Sequence, residues 1–176
     1  MIPELLPGDI ILSRSKGIIS GTIRFFEKMQ TGEARVSHCA MALGDDLVIE
    51  ALWRVRINKL KKYENQPIIV YRLHGYSMDV RESVAKHAML VAGNGYPIWR
   101  LFLHALDATT SFIRRKPTFW FTAPVGIPSY HSCIQLAAHM WAKYGGYHWS
   151  VDWAHITPDL ADDELSKTAE VIYSSL

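Results

Sequence analysis

The feature that most constrains this chain is a histidine and a cysteine that stand far apart in the sequence, each in a segment of distinct character. Residues 37–43 (Ser-His-Cys-Ala-Met-Ala-Leu) predict a buried β-strand that carries His38. Residues 130–136 (Tyr-His-Ser-Cys-Ile-Gln-Leu) predict a loop that enters a helix, with Cys133 in the first turn. A helix N-terminus lowers the pKa of a thiol, and an imidazole can accept its proton. A fold that joins the two segments would therefore hold both groups that a thiolate nucleophile needs.

Each of these residues also has a simpler explanation. A cysteine on the apolar face of a helix is usually a small buried hydrophobe, and a single histidine on a buried strand is usually a hydrogen-bonded core residue. Cys39 points to the opposite face from His38, so we expect it to serve packing. The pairing of His38 with Cys133 favours the catalytic interpretation, since unpaired N–H groups at a helix start stabilise a thiolate or an oxyanion.

Glu50 is the third candidate, because it interrupts an otherwise apolar strand over residues 47–52. A buried carboxylate needs a partner, and one that holds an imidazole nitrogen fixes the tautomer of the ring. A three-residue loop, Gly44-Asp45-Asp46, would pair Ala40 with Glu50. Glu50 would then be the diagonal neighbour of His38, about 7–8 Å away at the backbone. A two-residue turn at Asp45-Asp46 would instead place Glu50 on the opposite face.

The composition predicts one globular domain spanning residues 1–176. Of the 176 residues, 49% are hydrophobic and 20% charged, and a net charge of +2 gives no broad electrostatic footprint for nucleic acid. We interpret the basic runs over 54–62 and 114–116 as solvated surface. Two cysteines do not suggest a disulfide framework, and we recognise neither a signal peptide nor a membrane-spanning run. We therefore expect a reducing, cytoplasmic location.

The order of predicted elements indicates the α+β class, because strands cluster early with helices around them. We expect strands over residues 10–12, 36–43, 47–52 and 68–73. We expect helices over residues 17–29, 79–92 and 132–144, and a last helix after a turn at 156–160. A further apolar segment covers 96–106. Three prolines and a basic trio make 111–128 an irregular connection or flap.

An ordered set of short motifs adds a family resemblance that covers nearly the whole chain. The motifs are Leu-Pro-Gly-Asp-Ile-Ile-Leu (6–12), Ser-His (37–38), Val-Ile-Glu-Ala (48–51), Gly-Tyr-Pro (95–97), Tyr-His-Ser-Cys (130–133) and Thr-Pro-Asp-Leu (157–160). In this order the chain resembles the circularly permuted papain-like cysteine hydrolases, the YiiX-like branch of the NlpC superfamily. Histidine precedes cysteine here, which is the reverse of papain.

That resemblance implies a fold and a set of catalytic residues. The fold is a small antiparallel sheet, or partial barrel, packed against a nucleophile helix. The implied Cys-His-Glu triad falls on Cys133, His38 and Glu50. The chain departs from the family pattern in two places: it has Cys-Ile-Gln at 133–135 where Cys-Ser-Glu is usual, and it has Cys39 where a small residue is usual. Neither departure removes a triad member, but both leave the substrate pocket open.

The leading functional hypothesis is a cysteine hydrolase of the amidase or peptidase kind. In this hypothesis Cys133 attacks an amide or ester carbonyl, His38 moves the proton, Glu50 orients His38 and an acyl-enzyme forms. Tyr130 and Ser132 are candidates for the oxyanion site or pocket, and packing explains Tyr130 equally well. The expected substrate is a small peptide, an amide or an acyl lipid. We expect neither nucleic-acid binding nor stable membrane insertion.

Three alternatives stay open at this point. The chain could be an acyltransferase or lipid-acyl hydrolase, or a non-catalytic module that binds a lipid or peptide on the same fold. It could also hold a metal through His131, Cys133 and either His148 or His155, although their spacing matches no familiar zinc pattern. Because this spacing gives little support to a metal site, we expect no cofactor and no metal.

Overall fold

The computed structural model describes residues 2–14, 35–51, 54–95, 106, 110, 133–154 and 156–176. Several expectations fall outside these residues. They are the helix over 17–29, the connection over 111–128, most of the apolar segment over 96–106, the pocket candidates Tyr130 and Ser132, and the possible metal ligands His131 and His155.

A six-stranded antiparallel sheet forms the centre of the described structure. Its strands are β1 (Ile10–Ser13), β2 (His38–Gly44), β3 (Leu47–Ala51), β4 (Val55–Lys59), β5 (Ile68–Leu73) and β6 (Ala169–Ser174). They lie in the order β4-β3-β2-β1-β5-β6, and every adjacent pair is antiparallel. Within the described residues β4 and β6 are the edges of an open sheet. The prediction of an α+β fold with an antiparallel sheet is confirmed.

Three helices with described bounds accompany the sheet. They are α1 (Met78–Met89), α2 (Cys133–Met140) and α3 (Pro158–Thr168). Helix α2 continues as a π-helical segment, Trp141–Gly145, which ends at Gly146 in the left-handed region with φ 71°. Ser77 caps α1 and Thr157 caps α3, each accepting a backbone N–H with its side chain. The predicted helix starts near 79 and 132 agree with these bounds to one residue.

Strands β4 and β6 were not predicted from the sequence. In β4, Val55–Lys59, charged and polar residues mask the alternation of a strand that is largely exposed at the sheet edge. In β6, Ala169–Ser174, the strand follows α3 without a turn signal and is half exposed at the other edge. Both strands form because a neighbouring strand supplies their hydrogen bonds, and a short stretch of sequence does not reveal that neighbour.

The two faces of the sheet bury different sets of side chains. The helix face packs against α1, α2 and α3, and its members include Leu12, Cys39, Met41 and Ile49. The second face is covered by Leu5 and by Leu60 and Tyr63 of a short 3₁₀ turn, Leu60–Tyr63, and its members include Ile11, Ala40, Val48, Ile68 and Val70. His38 shares this second face with Ala40, because side chains alternate along β2.

The hairpin between β2 and β3 reaches the predicted register by a different route. Asp45 and Asp46 form a two-residue turn with φ of 49° and 57°, the conformation of a type I′ turn. A β-bulge between Ala42 and Gly44 adds one residue to β2 and restores the alternation. Ala40 therefore pairs with Glu50, as the three-residue loop predicted. The expectation that a two-residue turn would put Glu50 on the wrong face is wrong, because the bulge compensates for it.

The turn before β1 fixes the far end of the cysteine helix. Trp141 donates its indole N–H to the carbonyl oxygen of Gly8 at 2.9 Å. Gly8 has φ 82°, and a β-carbon there would lie 2.6 Å from the Trp141 ring, so only glycine fits. The next residue, Asp9, is fully buried and accepts hydrogen bonds from Arg72 and Arg81. The Pro-Gly-Asp turn thus joins β1, β5, α1 and the end of α2.

Candidate active site

A buried hydrogen bond joins His38 to Glu50. The Nε2 atom of His38 lies 2.7 Å from Oε2 of Glu50, and the two residues are 6% and 0% exposed. The pairing of Ala40 with Glu50 makes Glu50 the diagonal neighbour of His38 on the second face of the sheet. The bulged hairpin is therefore the local structure that brings these two side chains together.

Three further donors surround the Glu50 carboxylate. Tyr63 donates its hydroxyl to Oε2 at 2.7 Å, and Asn58 donates its amide to Oε1 at 2.6 Å. The Lys62 ammonium also contacts Oε1. Burial alone would raise the pKa of Glu50, but the bonds from His38, Lys62 and Tyr63 lower it from 4.5 to about 2. Glu50 is thus an ionised acceptor across the neutral range, and burial beside it raises the pKa of the Tyr63 hydroxyl, which stays a donor.

Cys133 lies at the first position of α2, where it is 7% exposed. Burial opposes ionisation of its thiol, but the hydrogen bond with His38 and the backbone N–H groups of Cys39 and Ile134 lower its pKa below the ordinary value. Burial likewise opposes protonation of His38, yet its bonds with Cys133 and Glu50 raise its pKa to about 9. Because Nε2 is bound to Glu50, Nδ1 is the ring nitrogen left for the sulfur. The arrangement favours a thiolate–imidazolium pair.

The register of β2 explains why the Cys39 backbone can face the sulfur. Ala42 donates its N–H to the carbonyl oxygen of Asp9, the residue before β1, at 2.8 Å, so alternate residues of β2 turn their N–H groups toward β1 and Cys39 turns its N–H toward β3. The pairing of β2 with β3 ends where Ala40 lies opposite Glu50. Cys39 is one residue beyond that pair, and its backbone N–H bonds to the Cys133 sulfur at the start of α2. This N–H can donate to the sulfur or to an oxyanion formed beside it.

Asp159 anchors the chain just before the histidine strand. Its Oδ1 accepts the backbone N–H groups of Arg35 and Val36 at 3.0 and 3.3 Å. Asp159 is 8% exposed and lies in the first turn of α3, two residues after the Thr157 cap. The Thr-Pro-Asp-Leu segment therefore ties the start of α3 to the entry of β2, which carries His38.

The structure brings Cys133, His38 and Glu50 into one buried cluster. Sequence reasoning missed Asn58 and Tyr63 as partners of Glu50, although a buried carboxylate demands such donors. The basic run over 54–62 was interpreted as solvated surface, and four of its members are exposed: Arg54, Arg56, Lys59 and Lys61. That interpretation is wrong for the Lys62 ammonium, which contacts Glu50.

Other features of the described chain bear on the alternatives. Both cysteines are free and buried, and burial raises the pKa of Cys39 well above its ordinary value. Among the described residues, no three histidine, cysteine or acidic side chains cluster closely enough to hold a metal ion. In the same part of the chain, no helix has the length and apolar character needed to cross a bilayer.

Comparison with known proteins yields a structural neighbour. No protein-family model matches the chain, and no curated protein is significantly similar to it. The fold is similar to the crystal structure of the metalloprotein yiiX from Escherichia coli O157:H7, with a TM-score of 0.57 and 17% sequence identity. The match covers 98% of this chain and 90% of that chain. At this identity the similarity concerns the fold alone.

Proposed function

We propose that this protein is a cysteine-dependent hydrolase that acts on an amide or ester through Cys133, His38 and Glu50. The observation that carries the proposal is the buried connection from the Glu50 carboxylate through His38 to the Cys133 sulfur. A purely structural histidine needs a hydrogen-bonding partner, but it does not need a thiol of lowered pKa on its other side. This combination of nucleophile, base and orienting carboxylate is the arrangement that acyl transfer uses.

The first half of the reaction acylates the sulfur. The Cys133 thiolate attacks the carbonyl carbon, a carbon–sulfur bond forms and the carbonyl oxygen becomes an oxyanion. The Cys39 N–H and the N–H groups at the start of α2 are placed to stabilise that charge. His38, as imidazolium, gives its proton to the leaving nitrogen or oxygen as the bond to carbon breaks. A thioester on Cys133 and a free amine or alcohol result.

The second half releases the acyl group to water. Neutral His38 takes a proton from a water molecule, whose oxygen attacks the thioester carbonyl. The carbon–sulfur bond then breaks and returns the thiolate, with a carboxylic acid as product. Glu50 stays ionised throughout and stabilises each imidazolium that forms.

We also propose that the architecture is a permuted papain-like one, with a small peptide, an amide or an acyl lipid as substrate. Two observations support this: the histidine strand precedes the nucleophile helix in the chain, and that helix packs on an antiparallel sheet. A reducing, cytoplasmic setting accords with two free thiols.

An active-site thiol probe tests the proposal without knowledge of the substrate. Iodoacetamide is added to the 176-residue protein at pH 6.5, and the alkylated cysteine is identified by peptide mass mapping. We expect Cys133 to react at least about tenfold faster than Cys39, because its thiolate is populated at this pH. Cys133→Ala should remove the fast reaction and all turnover of amide or ester substrates while the protein still folds. Reaction of Cys133 at the rate of an ordinary thiol would contradict the proposal and favour a binding module.

A further inference from the structure

Lys62 connects the buried cluster to the protein surface. Its side chain is 41% exposed, whereas Glu50, which its ammonium contacts, is fully buried. The 3₁₀ turn that carries Lys62 is held by the buried side chains of Leu60 and Tyr63. The Gln66 side chain also donates to the Lys62 carbonyl oxygen at 2.9 Å. The backbone of Lys62 is therefore anchored, and its side chain reaches inward from a defined position.

The two oxygens of Glu50 have different partners. Oε2 accepts from His38 and Tyr63, and Oε1 accepts from Asn58 and Lys62. Two cations, the His38 imidazolium and the Lys62 ammonium, thus share one carboxylate. A positive charge on Oε1 offsets part of the negative charge that His38 would otherwise experience. The Lys62 charge therefore makes loss of the His38 proton easier, and it also stabilises the thiolate form of Cys133.

Among the residues that the structure describes, the other ionisable groups around Glu50 do not supply this cation. Tyr63 from the turn remains neutral, and Cys39 from β2 is held as a thiol by burial. Cys133 from α2 carries the negative charge of the pair. Arg56 of β4 lies opposite Glu50 in the strand register, but its side chain is exposed to solvent.

We propose that Lys62 is a positioning residue, whose positive charge on Glu50 sets the pH range in which Cys133 and His38 form a thiolate–imidazolium pair. The inference rests on the proposed function, since it concerns the same cluster. Lys62 acts through Glu50, so its removal should change how the pair responds to pH rather than abolish the nucleophile. A residue that only supported the fold would leave that response unchanged.

The test is the pH dependence of Cys133 alkylation by iodoacetamide, measured on the full chain with peptide mass mapping. Lys62→Met should shift the ionisation of Cys133 and that of His38 upward by about half to one pH unit, because the partly screened positive charge in contact with Glu50 is lost. Lys62→Arg should restore the wild-type profile. Lys61→Met removes the same charge from the neighbouring exposed position and should leave the profile unchanged.

The outcomes separate this inference from the proposed function. If wild-type Cys133 ionises like a free thiol, the proposed function fails and Lys62 has no pair to tune. If the wild type has a low-pH reactive thiolate but Lys62→Met and Lys61→Met give the same profile, the role of Lys62 is refuted while the proposed function stands. Should both Lys62→Met and Lys62→Gln unfold while Lys61→Met folds, Lys62 is a structural residue and the inference is likewise overturned.

Discussion

Replacement of Glu50 by glutamine would remove the charge that holds His38 and keep the side-chain shape. The pKa of Glu50 is lowered from 4.5 to about 2. At about 1.4 kcal/mol per pH unit, this shift corresponds to about 3 kcal/mol of stabilisation. The Lys62 side chain is partly exposed, so solvent screening weakens the part of this stabilisation that comes from its contact with Glu50. We therefore expect Glu50→Gln to lower the free energy of unfolding by about 2–3 kcal/mol near pH 6.

The effect of this replacement should depend on pH in a defined direction. A lowered pKa at Glu50 stabilises the fold above about pH 4.5, and this contribution is lost as the pH falls toward 2. A raised pKa at His38 stabilises the fold fully below pH 6.5, and this contribution is lost as the pH rises through about 9. Both contributions are fully present between about pH 4.5 and pH 6.5, so the wild type should be most stable there. The difference in free energy of unfolding between the wild type and Glu50→Gln should shrink above pH 9.

Urea denaturation at pH 6 and pH 9.5 measures both quantities, with Glu64→Gln as the control. Glu64 is exposed at the end of the same 3₁₀ turn, so its replacement removes an equal charge without touching His38. We expect Glu64→Gln to change the free energy of unfolding by less than about 0.5 kcal/mol. Equal effects of the two variants, or a Glu50→Gln effect that is the same at both pH values, would refute the assignment of Glu50 as the charged partner of His38.

Three further predictions concern the surroundings of the site. Tyr63→Phe removes one donor to Glu50 and should cost about 1 kcal/mol in urea denaturation, and an unchanged midpoint would argue against this hydrogen bond. Gly8→Ala forces a β-carbon against Trp141 at a positive φ and should cost more than about 2 kcal/mol, whereas Gly75→Ala, which meets no atom, should cost less. Asp159→Ala frees two N–H groups before β2 and should slow Cys133 alkylation at least about threefold, and an unchanged rate would show that Asp159 does not position His38.

The sequence predicted the pairing of His38 with Glu50 because that pairing depends on local alternation. Once two apolar strands flank a short turn, only two registers are available, and one of them places the carboxylate beside the histidine. The bulge that selects this register could not be predicted, since side-chain alternation alone does not show where a strand gains an extra residue. The right pairing was thus reached through a turn of the wrong length.

The remaining partners of the site come from structure that the sequence did not reveal. Asn58 lies on β4, an edge strand whose charged residues resembled plain surface. Lys62 and Tyr63 follow in a 3₁₀ turn, which has no periodic signature. The contact of Asp159 with Arg35 and Val36 joins segments that lie more than 120 residues apart in the chain. Contacts of this range follow from tertiary packing, and a single sequence carries little trace of them.

Under the proposed function, His38 and Glu50 make the Cys133 sulfur a thiolate at neutral pH. This ionisation is measured directly by the ultraviolet absorbance of the thiolate as the pH is varied. The absorbance of Cys133→Ala is subtracted from that of the wild type, so that only the Cys133 signal remains. We predict that this absorbance rises at a pH well below the range of an ordinary thiol. The pH of the rise should increase when Glu50→Gln is introduced into both the wild type and Cys133→Ala. A step at or above the pH of an ordinary thiol, unaffected by Glu50→Gln, would contradict the account.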